Sequence, residues 1–243
     1  MEGHESLEPV RVHSNLVLEF IELNWSTLAA KWLFACRVLI ITCVLFFLVI
    51  RAYRPDPNPP EVECVWDGVF EATEDVNIFL RTHSGYRSAL LIFSTLLIDI
   101  IMLTTALRFL LWPRTWRCLL FLLLFYSIRG IIMSFFIMGF PEGHIFDDPG
   151  FPSLTVTYAK SSDFFFSGHV GFALFGVLDS RLNDNRFMTA LACLSVVVEC
   201  VTMLVTRGHF VIDVIAGLVF SHYVWEVTGW VSPYLDSKLV TQA

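Results

Sequence analysis

Long apolar runs recur along the chain and alternate with short polar connections. A helix needs about 20 predominantly apolar residues to cross the hydrocarbon core of a bilayer, and most of the runs have that length. They predict six spans, at residues 32–50, 89–111, 118–140, 164–178, 187–206 and 210–230. The fourth is the weakest by hydropathy, because it is short and contains Ser167, Gly168 and His169. The pattern therefore predicts an all-α fold, a bundle of six transmembrane helices.

The segments outside the spans divide the chain into three parts. Residues 1–31 form a polar tail followed, from Asn15 onward, by apolar positions near helical spacing. This spacing predicts an amphipathic N-terminal helix on the membrane surface or, as an alternative, a cytosolic extension of the first span. Residues 32–231 form a single membrane domain with a long hydrophilic loop at 51–88, and residues 232–243 form a short tail.

The distribution of basic residues predicts the orientation in the membrane. Six spans place both termini on one side, which carries nine Lys and Arg residues against six on the other. Because cytosolic connections are enriched in basic residues, the bias favours cytosolic termini. The loops at 51–88 and 141–163 then face the lumen or the exterior. We predict a multi-pass protein of the endoplasmic reticulum or Golgi, with the plasma membrane as an alternative.

The composition excludes several other classes of protein. Of the 243 residues, 56% are hydrophobic and 16% are charged, whereas soluble domains have roughly 45–50% apolar and about 25% charged residues. The 23 Asp and Glu residues outnumber the 16 Lys and Arg residues, which argues against a nucleic-acid partner. The six cysteines match no zinc-binding spacing, so we expect them to be structural or free.

Two histidines fall where they reach the same face of the membrane. His169 lies near the start of the fourth span and His209 at the junction of the fifth and sixth. Because the fourth and fifth spans connect on the opposite side, both histidines return to one face. Asp213 follows His209 by four residues, so the two share one side of a helix. Its carboxylate can accept a hydrogen bond from one imidazole nitrogen and leave the other free as a nucleophile.

This arrangement suits displacement at phosphorus. His209 would attack a lipid phosphate and form a phosphohistidine, while His169 protonates the departing oxygen. His169 would then act as the base for an acceptor hydroxyl or for water. Arg207 and the amides around Ser167 and Gly168, at a helix start, are predicted to hold the phosphate oxygens. The scheme needs no metal and no cofactor.

Three ionisable residues lie inside predicted spans, where charge is costly and is usually functional or paired. Asp99 lies in the second span, Arg129 in the third and Glu199 in the fifth. Asp99 and Arg129 either neutralise each other, or Arg129 faces the reaction cavity and helps to hold phosphate. Glu199 contacts either a substrate cation or a polar neighbour on another helix, and the second arrangement is the more common one.

Two short motifs carry a resemblance to a known superfamily. The first is D-x-x-x-S-G-H, from Asp163 to His169, and the second is G-H-F-x-x-D-V, from Gly208 to Val214. Together they resemble the type-2 phosphatidic acid phosphatase superfamily and, within it, the sphingomyelin synthase branch. The stretches SGHV, LDSR and TRGHFVID are most similar to the plant phosphatidylcholine:diacylglycerol cholinephosphotransferases.

The resemblance implies a six-span enzyme with a His-His-Asp triad, here His169, His209 and Asp213. Such an enzyme would move a phosphocholine head group from a phospholipid to diacylglycerol or ceramide. The resemblance also places Asp163 in the substrate site and, because the transferase branch has an arginine in the third span, adds weight to a phosphate-binding role for Arg129.

Some positions differ from the family patterns and narrow the choice of reaction and of acceptor lipid. Lipid phosphatases have proline before Ser-Gly-His and arginine six residues before the second histidine, whereas this chain has Phe166 and Met203. These differences favour a transferase over a phosphatase. Sphingomyelin synthases have Cys-Gly and Tyr-Thr where residues 161–162 are Ser-Ser and residues 210–211 are Phe-Val, which argues against ceramide as the acceptor.

Three hypotheses follow from the residues and the resemblance. The first is a membrane transferase that moves phosphocholine from phosphatidylcholine to diacylglycerol, or to ceramide, through a phosphohistidine. The second is a lipid phosphate phosphatase, in which water replaces the acceptor lipid. The third is a non-catalytic lipid-binding or scrambling protein. The presence of His169, His209 and Asp213 together favours an enzyme, because a scaffold has no physical need for all three.

Overall fold

The structure, a computed structural model, describes residue 37 and residues 65–111, 115–136, 138–156, 158 and 164–239. These residues contain helices and no strand, which confirms the all-α prediction for this part of the chain. The helices are α1 (Gly68–Ala72), α2 (Glu74–Thr82), α3 (Ser84–Leu111), α4 (Arg117–Phe135), α5 (Gly168–Leu182), α6 (Arg186–Val205) and α7 (Val211–Leu239).

Four of these helices, α3, α4, α6 and α7, are long and apolar enough to cross a membrane. They correspond to the second, third, fifth and sixth predicted spans, so the chain is a membrane protein. The fourth predicted span is α5, whose 15 residues extend about 22 Å, less than the hydrocarbon thickness of about 30 Å. Apart from residue 37, which is helical, the first predicted span at 32–50 lies outside the described residues, as does the amphipathic N-terminal helix. The count of six spans stays a prediction.

The core between α4, α5 and α7 is built from stacked aromatic rings. Phe121, Phe125, Phe166 and Phe175 are all fully buried, and the ring centroids of Phe121 and Phe175 lie 4.5 Å apart. A Cβ atom at Gly171 would lie 2.2 Å from the Phe125 ring. Small residues allow helices to approach closely in membranes, and this glycine brings α5 against α4.

Part of the predicted hydrophilic loop at 51–88 is helical, which the sequence analysis did not anticipate. We call residues 67–82, which contain α1 and α2, the cap. Asp67 begins α1 by accepting a hydrogen bond from the Val69 amide at 2.9 Å. Phe70 and Leu80 are apolar residues of the cap, and both are buried. A few apolar positions among charged ones are too short a pattern to indicate helices, and their burial depends on the rest of the bundle.

A non-helical segment lies along α3 deep in the bundle. Asp99 lies 15 residues after Ser84, about 22 Å along the helix axis. Its carboxylate accepts hydrogen bonds from the amides of Leu154 (3.0 Å) and Thr155 (3.1 Å) and from the hydroxyls of Ser153 (3.2 Å) and Thr155 (2.6 Å). Irregular backbone at this depth is tolerated only when its polar groups are satisfied, and Asp99 satisfies them.

These bonds decide between the interpretations of Asp99. Within the described residues, every hydrogen bond of its side chain goes to residues 153–155, and no ion pair joins it to Arg129. The alternative in which Asp99 neutralises Arg129 is therefore wrong. The carboxylate instead accepts the hydrogen bonds of the loop at 153–155. Sequence spacing alone could not predict that this loop lies beside α3.

Asp99→Ala is expected to lower the free energy of unfolding by about 3 kcal/mol, because it leaves two backbone amides without an acceptor. Thermal unfolding of the purified protein measures the change. Thr104→Ala on the same helix is the matched control, since the Thr104 hydroxyl bonds only to carbonyls of its own helix. Equal melting temperatures for the two variants would contradict the assigned role of Asp99.

The opposite end of the bundle is joined by charged contacts. Arg108 forms an ion pair with the buried Asp179 and links α3 to α5. Arg117 donates to the Trp225 carbonyl at 2.7 Å, and its guanidinium lies 3.9 Å from the centroid of the Trp225 ring. Asp236 accepts a hydrogen bond from the Trp116 amide at 2.8 Å. These contacts fix the helix ends that lie away from the histidines.

Candidate active site

The N-terminus of α5 positions the first histidine. Ser167 is the N-cap residue, and its hydroxyl accepts a long hydrogen bond (3.4 Å) from the Val170 amide. Serine is a preferred N-cap because it satisfies an amide that has no partner within the helix. Gly168 and His169 are the first two residues of the helix. His169 therefore lies beside amides that carry the positive end of the helix dipole.

The second histidine lies in the tight turn between α6 and α7. Arg207 adopts a left-handed backbone conformation (φ 56°), and the His209 amide donates to the Met203 carbonyl at 3.2 Å. Asp213, which is fully buried, accepts a hydrogen bond from the Phe210 amide at 3.1 Å. The same carboxylate oxygen lies 3.4 Å from Nδ1 of His209. The predicted His-Asp contact is thus present, and Nε2 is left as the nitrogen that faces away from Asp213.

The two histidines face each other across the α5–α7 contact. Their ring centroids lie 6.3 Å apart with an interplanar angle of 62°. The Ser167 amide donates to the Asp213 carbonyl at 3.0 Å, so the beginnings of the two helices are joined directly. A Cβ atom at Gly217 would lie 2.6 Å from the Ser167 carbonyl oxygen. The close approach of the histidines therefore depends on this glycine.

Gly217→Ala is expected to lower activity about 100-fold, because the added methyl group pushes the start of α5 away from α7, and a displacement near 1 Å is enough for such a loss. Head-group transfer in liposomes measures the effect. Gly85→Ala is the matched control, since a Cβ atom there has nothing within 4 Å. Equal activity of the two variants would contradict the importance of the close α5–α7 contact.

Arg129 reaches the same helix start from α4. Its Nε donates to the Phe166 carbonyl at 2.9 Å, and the residue is 8% exposed. A Cβ atom at Gly168 would lie 3.3 Å from the guanidinium carbon of Arg129. The absence of a side chain at Gly168 therefore leaves room for the guanidinium. A buried cation thus lies beside the N-terminus of α5, next to His169.

A family model matches the part of the chain that contains these residues. The model described as AtPDCT1/2 matches residues 66–230, a range that contains the cap, Arg129, both histidines and Asp213. The chain belongs to the phosphatidylcholine:diacylglycerol cholinephosphotransferase family. This confirms the resemblance drawn from the sequence motifs. Comparisons with curated proteins and with solved structures gave no match.

The family name implies a transferase, and the apolar helices fit a protein whose substrates are membrane lipids. The match covers both sequence motifs and extends upstream to residue 66, well before Asp163, where the first motif begins. The matched region therefore includes the cap, which sequence analysis described only as part of a long hydrophilic loop.

Arg207, which the sequence predicts to hold phosphate, lies in the turn before His209 and contacts the cap. Its guanidinium forms an ion pair with Glu74 of the cap and donates to the carbonyls of Glu142 (2.6 Å) and Phe70 (3.3 Å). These contacts hold the turn before His209, and the role of Arg207 in binding phosphate stays a prediction. Asp163, the other predicted substrate-binding residue in the loop, lies outside the described residues.

Glu199 is fully buried on α6 and accepts a hydrogen bond from the Ser94 hydroxyl of α3. This matches the interpretation in which it joins a polar neighbour on another helix. The next residue of α3, Thr95, shares a hydrogen bond with Tyr158. Burial raises the pKa of the Tyr158 phenol to about 12, so the phenol stays protonated and can donate to the Leu91 carbonyl (3.4 Å).

Aromatic rings close the site around both histidines. The centroid of the Phe164 ring lies 6.0 Å from that of His209, and the Phe146 ring lies 5.5 Å from His169. The Phe146 ring also lies against Gly208, where a Cβ atom would be 3.3 Å away. Sequence analysis missed Phe146, because one phenylalanine among 23 gives no signal of its place in the fold.

Asp67 is the clearest functional residue that sequence analysis missed. One carboxylate oxygen caps α1, and the other accepts a hydrogen bond from the Val211 amide, the first of α7, at 2.7 Å. It therefore holds the cap against the helix that follows His209. The only sequence signal was an acidic residue before a short apolar run, which is a common N-cap pattern and does not predict a contact 144 residues away.

Proposed function

We propose that this protein transfers phosphocholine from phosphatidylcholine to diacylglycerol through a phosphohistidine on His209. The observation that carries the proposal is the facing pair of histidines, with ring centroids 6.3 Å apart and Asp213 behind His209. Membership in the cholinephosphotransferase family supports the choice of head group and acceptor.

In the first half-reaction, Nε2 of His209 attacks the phosphorus of phosphatidylcholine. The bond between phosphorus and the glycerol oxygen breaks, and His169, as the imidazolium, gives its proton to that oxygen. Diacylglycerol leaves. Asp213, bonded to Nδ1–H of His209, fixes the tautomer and stabilises the positive charge that develops on the phosphorylated imidazole.

In the second half-reaction, His169 is neutral and takes the proton of an acceptor hydroxyl. The acceptor oxygen attacks phosphorus, and the bond between phosphorus and Nε2 breaks, which returns both histidines to their starting state. Arg129 and the amides at the start of α5, beside Ser167 and Gly168, would hold the phosphate oxygens. The leaving and entering lipids are both diacylglycerols, so one subsite beside His169 serves both halves.

We also propose that the histidines face the lumen or exterior and that the termini are cytosolic, in a six-span protein of the endoplasmic reticulum or Golgi. Arginines at the ends of α3, α4, α5 and α6 that lie away from the histidines support this orientation, because basic residues favour the cytosolic side. These are Arg108, Arg117, Arg181 and Arg186.

The test is a competition among acceptors. Purified protein in liposomes receives phosphatidylcholine with a labelled choline group, together with diacylglycerol of distinguishable acyl chains, ceramide and water. The proposal expects labelled phosphatidylcholine that carries the acyl chains of the acceptor. Labelled sphingomyelin as the main product would identify ceramide as the acceptor, and free phosphocholine as the main product would identify a hydrolase; either result would overturn the proposal.

A further inference from the structure

The cap covers the nucleophilic histidine from the polar end of the bundle. Phe70 of α1 joins Phe164 and Phe210 in a buried aromatic cluster, with exposures of 8%, 1% and 4%. The Phe70 and Phe210 ring centroids lie 5.2 Å apart, and Phe164 contacts the ring of His209. Beneath this cluster His209 is only 2% exposed.

Three separate polar contacts hold the cap in place. Asp67 accepts a hydrogen bond from the first amide of α7, and Arg207 pairs with Glu74 while its guanidinium lies 5.1 Å from the Phe70 ring centroid. Asn77, which is fully buried, donates to the carbonyls of Val205 (2.8 Å) and Gly143 (3.0 Å). Each contact joins the cap to the segment that leads into or out of His209.

The two faces of the cap differ in chemistry. Its outer side carries exposed charged residues, among them Glu71, Asp75 and Arg81, together with the exposed apolar residues Val76, Ile78 and Phe79. Phe70 and Leu80 are buried on the inner side. His209 therefore lies behind an apolar layer that separates it from water on the outer side of the cap. The acceptor lipid differs from water because its acyl chains keep it in the bilayer, so it approaches from the side of the spanning helices.

We propose that the cap excludes water from phosphorylated His209 and thereby makes the enzyme a transferase in place of a hydrolase. This inference rests on the proposed phosphohistidine. In hydrolysis a water oxygen would bond to phosphorus, His169 would take the water proton, and the bond between phosphorus and Nε2 would break. These are the same steps that the acceptor hydroxyl follows, so only access decides between the products. Phe70 is the specificity-determining residue. Asp67 is a positioning residue, because its hydrogen bond to the Val211 amide holds α1, and with it Phe70, against α7.

The test is the ratio of free phosphocholine to transferred phosphocholine in liposomes with labelled phosphatidylcholine and diacylglycerol. Phe70→Ala is expected to raise this ratio about tenfold or more, because the truncation opens a path for water to the phosphohistidine. Asp67→Ala is expected to raise it in the same direction. A merely structural role would lower transfer and hydrolysis together and leave the ratio unchanged.

Phe79→Leu is the matched control, because Phe79 lies on α2 of the same cap and is 42% exposed; its ratio is expected to equal that of the unchanged protein. If Phe70→Ala has neither transfer nor hydrolysis activity, the milder variant Phe70→Leu is used, and the ratio of free to transferred phosphocholine is measured with it. A ratio within about twofold of the unchanged protein in the active Phe70 variant would overturn the inference. Absence of transfer by the unchanged protein would instead overturn the proposed function.

Discussion

His209→Gln is expected to abolish head-group transfer, with a loss of about 10⁴-fold or more, because the residue supplies the nucleophile and its removal disables both half-reactions. Glutamine keeps a polar side chain of similar reach but cannot form a phosphohistidine. The loss is measured as transfer of labelled phosphocholine in liposomes. Acid-labile labelling of the protein after rapid mixing with labelled phosphatidylcholine provides a second measurement, and the label is expected to disappear in the variant.

His222→Gln is the matched control for this experiment. His222 lies on the same helix, α7, and is exposed, so its replacement is expected to leave both transfer and labelling unchanged. Retention of the acid-labile label in His209→Gln would place the phosphorylated residue elsewhere and contradict the proposed mechanism.

His169→Gln is expected to lower transfer from phosphatidylcholine by about 10³-fold, because the departing glycerol oxygen then has no acid to protonate it. The effect should depend on the leaving group. p-Nitrophenyl phosphocholine releases a phenolate that needs no proton, so a single burst of nitrophenol, equal to the amount of enzyme, is expected at a rate near that of the unchanged protein. The second half-reaction stays slow, since it needs His169 as a base.

The comparison of the two donors distinguishes loss of the general acid from misfolding of the variant. A misfolded variant loses reaction with both donors to the same extent, whereas loss of a general acid affects only the poor leaving group. An equal loss with both donors would therefore contradict the assignment of His169. A full rate of steady turnover with p-nitrophenyl phosphocholine would contradict its role as the base.

Much of the fold could be predicted because hydrophobic runs of spanning length have few alternatives in a membrane. The predicted spans at 89–111, 187–206 and 210–230 correspond to α3, α6 and α7. The span at 118–140 was predicted too long, since α4 ends at Phe135 and Phe136 is already extended. Hydropathy does not register this end, because residues 136–140 stay largely apolar.

The facing histidines could also be predicted, for a reason of topology. When the connection between two spans lies on one side, the far ends of both return to the other side, so His169 and His209 had to share a face. The four-residue spacing of His209 and Asp213 placed their side chains together on a helical turn. These two relations depend on local geometry and on counting spans, and neither requires knowledge of packing.

The sequence did not decide the contacts between segments that are distant in the chain. The sequence left open whether Asp99 pairs with Arg129, and the structure shows Asp99 bonded to the loop at 153–155. Nothing in the sequence indicated that Arg207 contacts Glu74 of the cap. In both cases the sequence identifies a charge that needs a partner, because a buried charge is costly. It does not identify which of several opposite charges or amides lies nearest.

The sequence by itself determined the membrane class, the helical fold and the pairing of His169 with His209 and Asp213, because hydrophobic length, span parity and helical periodicity are local properties. Only the tertiary structure decided that Asp67, Phe70 and Asn77 form a cap over the nucleophile. Their contacts join residues more than 60 positions apart, and the choice among such partners depends on how the whole bundle packs. The groups that we propose to react can thus be identified from the sequence, whereas the cap that we propose to exclude water arises from packing.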